Sequence, residues 1–261
     1  MPRREPALGR LAVRPGGFRR GQLVISCEHA SNRLPARYGN LGLGRRVLES
    51  HIAWDRGARS IARHCAARLR CSYHEGRYSR LLIDLNRSPH HPKLIPKVAF
   101  GVKVPGNARI TDDDRQARIV QHYQPYRQRL LQDLRRVTRE SGGCLHISVH
   151  TFAPRVGRSV RRVDIGVLYD PARRREKETA RALAAALRAQ GLTTRCNYPY
   201  RGTSDGVTTF CRRLFSADRY LGIELEVSQR LLRRSACRGT AESVAAAGLE
   251  VLLVGAGAAV S

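Results

Sequence analysis

The chain has 261 residues, 42% of them hydrophobic, enough to bury one large core and to exclude a disordered or disulfide-stapled chain. Its formal net charge of +27 is nearly all arginine, because Lys93, Lys97, Lys103 and Lys177 are the only lysines. The arginines are scattered from Arg3 to Arg238 with no nucleic-acid-binding signature around them, so specific nucleic-acid recognition is not expected; non-specific polyanion binding and steering of anionic substrates remain open.

Residues 1–21 read as a basic, glycine-containing lead-in without the apolar stretch of a signal peptide, and residues 22–261 as one folded domain. The apolar run Leu23-Val24-Ile25 predicts a strand over 22–27, followed by Cys27-Glu28-His29 and a turn at 31–35. Apolar positions Val47, Leu48, Ile52, Ile61, Ala66 and Ala67 predict a helix over 46–70, with His51 and Asp55 on one face. A second core strand is expected over 79–85, leading into Asp84-Leu85-Asn86-Arg87, and a proline-rich loop over 88–110. Thr111-Asp112-Asp113-Asp114 is a helix-start signal for 111–139. Strands are then expected at 145–149, ending on His150, and at 163–169, with a helix over 173–190 stopped by Gly191. A polar loop covers 197–206, a last strand runs Tyr220 to Glu226, and helical residues close the chain.

This alternation predicts a single three-layer α/β domain, a mainly parallel mixed sheet with helices on both faces. Seven cysteines (Cys27, Cys65, Cys71, Cys144, Cys196, Cys211 and Cys237), an odd number with no C-x-x-C pair, point to free thiols and a cytoplasmic setting. The apolar stretch 244–260 carries Glu250 and three glycines, so it reads as a packed terminal element and not as a membrane span.

In open α/β sheets ligands bind at the carboxyl ends of the strands. His29 and His150 both stand at such ends, which makes a shared metal credible. Catalytic zinc takes nitrogen and carboxylate donors, and Asp55 is the third-ligand candidate, with Glu28 as the alternative. Asn86 and Arg87 suit a substrate carboxylate, because a guanidinium fork matches two oxygens, and Arg80 can add a second guanidinium. Glu224 and Glu226 are two apart in an apolar strand and share a face, so either can serve as general base. The plain structural alternatives are surface or buried ion pairs: Asp55 with Arg56 or Arg59, Asp84 with Arg87, and the strand glutamates with other arginines.

With these clusters assembled, the chain from about residue 21 to residue 232 resembles the N-formylglutamate amidohydrolase family. The resemblance is carried by Cys27-Glu28-His29-Ala30-Ser31-Asn32-Arg33-Leu34-Pro35, by His51-Ile52-Ala53-Trp54-Asp55-Arg56-Gly57-Ala58, by the segment 78–87, and by Pro105-Gly106-Asn107. His150-Thr151-Phe152, Asn197-Tyr198-Pro199-Tyr200 and Ile223-Glu224-Leu225-Glu226 complete it. It implies a phosphorylase/hydrolase-like fold similar to zinc carboxypeptidases and aspartoacylase, a metal (zinc, or another divalent ion) at His29 and His150, a carboxylate clamp at Asn86 and Arg87, and a catalytic glutamate in the last strand. The family pattern places a leucine five residues after that glutamate, and Leu231 fits Glu226. A carboxypeptidase-type second ligand would fall at Asn32, which is why Asp55 takes its place as third-ligand candidate. Phe210 and Cys211 stand where relatives often have a histidine.

The expected activity is hydrolysis of the amide of an N-formyl or N-acyl amino acid such as N-formyl-L-glutamate, a small acidic substrate, and the resemblance implies a place in histidine catabolism. The rival readings are a peptidase-like amidase on another substrate and an inactive polyanion-binding protein on the same fold.

Overall fold

Runs buried on both faces, Leu23–Cys27, Cys144–Phe152, Ile165–Leu168 and Tyr220–Ser228, make the strands at the centre of the sheet, and the helices that cover them are amphipathic. The computed structural model describes residues 17–233 and 241–253. Most of the expected lead-in, Cys237, and the part of the apolar stretch beyond Leu253 lie outside these residues. In chain order the elements are β1 (Leu23–Cys27), α1 (Arg45–Leu48), α2 (Ala58–Leu69), β2 (Ser72–Glu75), a small hairpin of β3 (Val98–Ala99) and β4 (Val102–Lys103), α3 (Pro105–Ala108) and α4 (Asp112–Arg118). A π-helical turn, Ile119–Tyr123, joins α4 to α5 (Gln124–Ser141). Then follow β5 (Cys144–Phe152), a hairpin of β6 (Arg155–Val156) and β7 (Ser159–Val160), β8 (Ile165–Leu168), α6 (Arg174–Ala189), β9 (Thr194–Cys196), α7 (Val207–Leu214), β10 (Tyr220–Ser228) and α8 (Ala241–Glu250).

The main sheet has six strands in the order β2-β1-β5-β10-β8-β9. Pairing is parallel from β2 through β10, antiparallel between β10 and β8, and parallel again between β8 and β9. The expected mixed, mainly parallel α/β sheet is therefore present as a single domain. Helices α2, α6 and α8 cover one face, packing on Leu23, Ile25, Ile147, Val149, Ile223 and Leu225. Helices α5 and α7, with the segment 82–95, cover the other around Val24, Cys144 and Tyr220.

Strand periodicity then places the chemistry. On β5 and β10 the odd-numbered residues join the first core, so His146, Ser148, His150, Glu224 and Glu226 point to the opposite face. Register sets Glu224 beside Ser148 and Glu226 beside His150. One sheet face is apolar; the other carries a buried polar row that ends at the carboxyl edge.

Two expected elements differ. The helix over 46–70 is broken, with α1 ending at Leu48 and α2 beginning at Ala58. Gly57 adopts a left-handed φ of +81°, and a Cβ there would lie 2.6 Å from Leu232 side-chain carbons. The intervening backbone serves tertiary partners: Asp55 N donates to His29 O at 3.0 Å, and Ala53 O accepts from Arg80 N and Ser79 Oγ. His51 and Asp55 therefore do not share a helix face.

Residues 79–85 form no strand, although Leu81, Leu82, Ile83 and Leu85 are buried. This is a buried loop whose carbonyls are satisfied by side chains. Asn107 Nδ2 donates to Leu81 O at 2.8 Å, Arg118 to Leu82 O at 3.2 Å, and Arg127 to Leu85 O at 3.2 Å. Strands β2 and β9, the two hairpins, α3 and α7 are additions to the expected set. The Thr111 cap forms as expected, accepting from Asp114 N, and Gly191 follows α6 with a left-handed φ of +77°.

Asn107 is the hub of that buried loop, since its Nδ2 also donates to Pro96 O and its Oδ1 accepts from Arg118. Replacing it by Ala strands two buried carbonyls and takes one acceptor from the Arg118 guanidinium. Urea unfolding of Asn107→Ala should show a loss of about 2–4 kcal/mol. A loss below about 0.5 kcal/mol, the level of an ordinary surface change, would show that the loop is held in another way.

Candidate active site

Four segments meet at the carboxyl edge of the central strands. The end of β1 brings Glu28 and His29, β5 brings His150, the turn before α2 brings Asp55, and the loop 79–88 brings Arg80, Asp84, Asn86 and Arg87. Asp55 is the meeting point. Its Oδ2 lies 2.8 Å from His150 Nδ1 and 3.4 Å from His29 Nδ1, and its Oδ1 is ion-paired with the Arg80 guanidinium. One ligand atom from each of His29, Asp55 and His150 falls within 4.8 Å of the others, and all three residues are buried.

The opposite ring nitrogens are held by acceptors. His29 Nε2 lies 2.6 Å from Asp84 Oδ1, and a carboxylate can only accept, so Nε2 carries the proton and the Nδ1 lone pair is left for a ligand. His150 Nε2 lies 3.0 Å from Ser148 Oγ, whose hydroxyl donates to Glu28 Oε2 at 2.6 Å. Tyr126 O–H, from α5, donates to Glu28 Oε1 at 2.6 Å. Carboxylate-backed imidazoles with both Nδ1 atoms converging on one carboxylate oxygen match how metal-binding histidines are oriented. Two imidazole nitrogens and a carboxylate oxygen are a donor set that zinc accepts in catalytic sites. The residues present fit a metal, and Glu28 stands behind His150 instead of beside its Nδ1.

Burial dominates the proton affinities, and local partners decide their sign. It lowers His29 to about 4, reinforced by Arg80 and opposed by Asp84. Burial also opposes charge on His150, but Glu28 and Glu226 outweigh it and raise that imidazole to about 9. Glu28 and Asp84 would be pushed up by burial; instead His150, Ser148 and Tyr126 hold the first, and His29 and Arg87 the second, well below the usual carboxylate range. Glu226 is the exception. Burial raises it to about 7, with Glu224 adding to the rise and His150 opposing it, and its Oε2 has no hydrogen-bond partner among the described residues. The Glu224 Oε1 is taken by the Thr208 hydroxyl at 2.6 Å.

The expected substrate residues lie around this cluster. Asn86 Nδ2 is 3.4 Å from His150 Nε2, and its Oδ1 accepts from Val207 N at 2.7 Å. Arg87 donates to Asp205 O at 2.6 Å and stands 3.8 Å from Asp84 Oδ2, with a third of its side chain exposed. Of the ion pairs weighed as alternatives, Asp84 with Arg87 forms, whereas Asp55 pairs with Arg80 and Arg59 with Glu75. Gly166 lets the loop after β9 close on the site, because a Cβ there would meet Tyr198 O at 1.9 Å and Glu226 Cβ at 3.3 Å. A narrow cleft opens beside Asp55 and Arg80, lined also by His51, Phe100, Phe152, Arg161 and Tyr200.

Ser148, Tyr126, Thr208, Asp205 and Arg161 were not anticipated. The alternation His146-Ile147-Ser148-Val149-His150 is a signal that could have found Ser148; the others come from elements with no such pattern.

A mixed α/β sheet with a buried polar row at the carboxyl edge of its strands has the form of an enzyme site, and the family match makes it that of a hydrolase acting on a C–N bond. More particularly, the chain belongs to the N-formylglutamate amidohydrolase family, whose sequence model matches residues 21–233. The crystal structure of a gene product from Agrobacterium tumefaciens is 32% identical, covers 88% of this chain and 88% of that one, and superposes with a TM-score of 0.72. The crystal structure of N-formylglutamate amidohydrolase from Ralstonia eutropha shares the fold at 18% identity, with a TM-score of 0.57 over 88% of this chain and 90% of that one. No curated protein is significantly similar to the chain in sequence.

The backing carboxylate of His29 gives a direct test. Asp84→Ala should weaken metal affinity about 10- to 100-fold, read by titration against a competing chelator. Unchanged affinity would mean that His29 is not oriented through Asp84 for this purpose.

Proposed function

We propose that this protein is a zinc-dependent amidohydrolase acting on N-formyl-L-glutamate or a closely similar N-acyl amino acid. The observation that carries the reading is the convergence of His29 Nδ1, Asp55 Oδ2 and His150 Nδ1, with a buried glutamate, Glu226, one strand away. His29, Asp55 and His150 would hold the ion. Zinc, when bound, supplies Lewis-acid polarisation of the amide carbonyl and acidifies water.

The chain's own groups do the rest. Glu226 accepts the proton of the attacking water and returns it to the amide nitrogen as the C–N bond breaks, releasing formate and the amino acid. A carboxyl raised to about 7 by burial is matched to both transfers at neutral pH, and its unpartnered oxygen is free to make them. Glu224, already accepting from Thr208, positions α7 against the sheet. Asn86 and Arg87 bind one substrate carboxylate, with the 205–207 backbone fixing their direction. Arg80 balances the charge of Asp55 and adds to the positive field that draws an anionic substrate in.

Residues 22–261 form the catalytic unit in this reading. A cytoplasmic setting is supported by the free thiols of the six described cysteines; no helix among the described residues is long and apolar enough to cross a membrane.

Hydrolysis of N-formyl-L-glutamate, followed as formate release, tests the reading. A strong chelator should abolish it and added zinc restore it. Glu226→Gln should keep its metal and lose about 10²- to 10⁴-fold in kcat. A Glu226→Gln enzyme with full turnover would remove Glu226 as the base, and chelator-insensitive hydrolysis would remove the metal.

A further inference from the structure

We propose that Arg161 is the specificity-determining anchor for a second, distal carboxylate of the substrate, the one that Asn86 and Arg87 do not hold. The proposal rests on the amidohydrolase reading above and adds to it the residue that would select a dicarboxylic substrate.

Arg161 stands just after the β6/β7 hairpin, its backbone N donating to Pro154 O at 2.8 Å. Its guanidinium carbon lies 5.1 Å from the Tyr200 ring centroid and 5.8 Å from that of Phe152, and its NH1 donates to the Tyr200 hydroxyl at 3.1 Å. The Phe152 and Tyr200 rings and the Tyr200 hydroxyl thus hold the guanidinium in place beside the cleft. Two arginines line the cleft beside Asp55. Arg80 is ion-paired with Asp55, whereas Arg161 makes no ion pair among the described residues. A half-buried guanidinium that is oriented but not neutralised presents its remaining N–H fork to the cleft, and that fork matches a planar carboxylate.

Its position relative to the clamp supports a second contact. Arg87 lies on the Asp84 side of the cluster, 3.8 Å from that carboxylate, while Arg161 lines the cleft on the Asp55 side. The charge of Arg161 also lowers the proton affinities of Glu226 and His51, so it is within electrostatic reach of both. An N-acyl amino acid with a carboxylate on its side chain has two anionic ends, and these two guanidiniums offer one partner for each. Arginine is not interchangeable with lysine at such a place, because lysine lacks the fork.

The test compares N-formyl-L-glutamate with N-formyl-L-glutamine, which differ only in the distal group, in wild type, Arg161→Ala and Arg161→Lys. Steady-state kinetics are paired with calorimetric binding of both compounds to the intact, metal-loaded proteins. Wild type should prefer glutamate, and Arg161→Ala should cut that preference about 10- to 100-fold, through KM and Kd more than kcat. Arg161→Lys should recover part of it. An equal loss for both substrates in Arg161→Ala, or a wild type that does not discriminate, would overturn the proposal. If wild type hydrolyses neither compound yet binds glutamate in an Arg161-dependent way, the hydrolytic reading fails and the anchor stands; if neither compound binds, the anchor fails as well.

Discussion

One carboxylate organises this molecule's functional edge. Asp55 Oδ2 faces two imidazoles, its Oδ1 faces Arg80, and its backbone N–H is tied to the carbonyl of His29. Burying a carboxylate costs several kcal/mol unless partners repay it, so every group around Asp55 must be in place at once. That demand explains the local backbone. A continuous helix through residue 55 would use the Asp55 N–H internally. The break between α1 and α2, with Gly57 in a left-handed turn, frees it to bind His29 and sets the side chain at the strand ends.

The sheet supplies the rest of the arrangement through its two-residue period. One face is filled by aliphatic side chains under α2, α6 and α8; the other carries Ser148, His150, Glu224 and Glu226 beneath α5 and α7. The carboxylates are then divided by environment. Asp84 and Glu28 are held ionised by hydrogen-bond partners and fix the imidazoles from behind. Glu226 has an oxygen with no hydrogen-bond partner among the described residues and a raised proton affinity. Chemically identical groups set apart by burial and partners are how a site obtains both anchors and a proton carrier at one pH.

Much of this was readable from residues. Strands β1, β5 and β10 announced themselves as apolar runs ending in polar groups, and with them came His29, His150 and the glutamate pair. Asp55 was legible as a residue and misplaced as structure, because apolar spacing over 46–70 is blind to a glycine turn set by Leu232. The run at 79–85 is as apolar as a strand, yet its carbonyls are satisfied by Asn107, Arg118 and Arg127, side chains distant in sequence. Arg161 gave no signal among so many arginines. What singles it out is the absence of an acid partner among the described residues and the presence of Phe152 and Tyr200, and both are facts of the fold.

The central claim is that Asp55 gathers His29 and His150 to hold one metal ion. Elemental analysis of the purified wild-type protein beside His150→Ala addresses it most directly. The account predicts about one zinc per chain in wild type, as for a three-ligand catalytic site, and its loss in the variant. Metal-free wild type, or a His150→Ala protein that keeps its full complement, would contradict it.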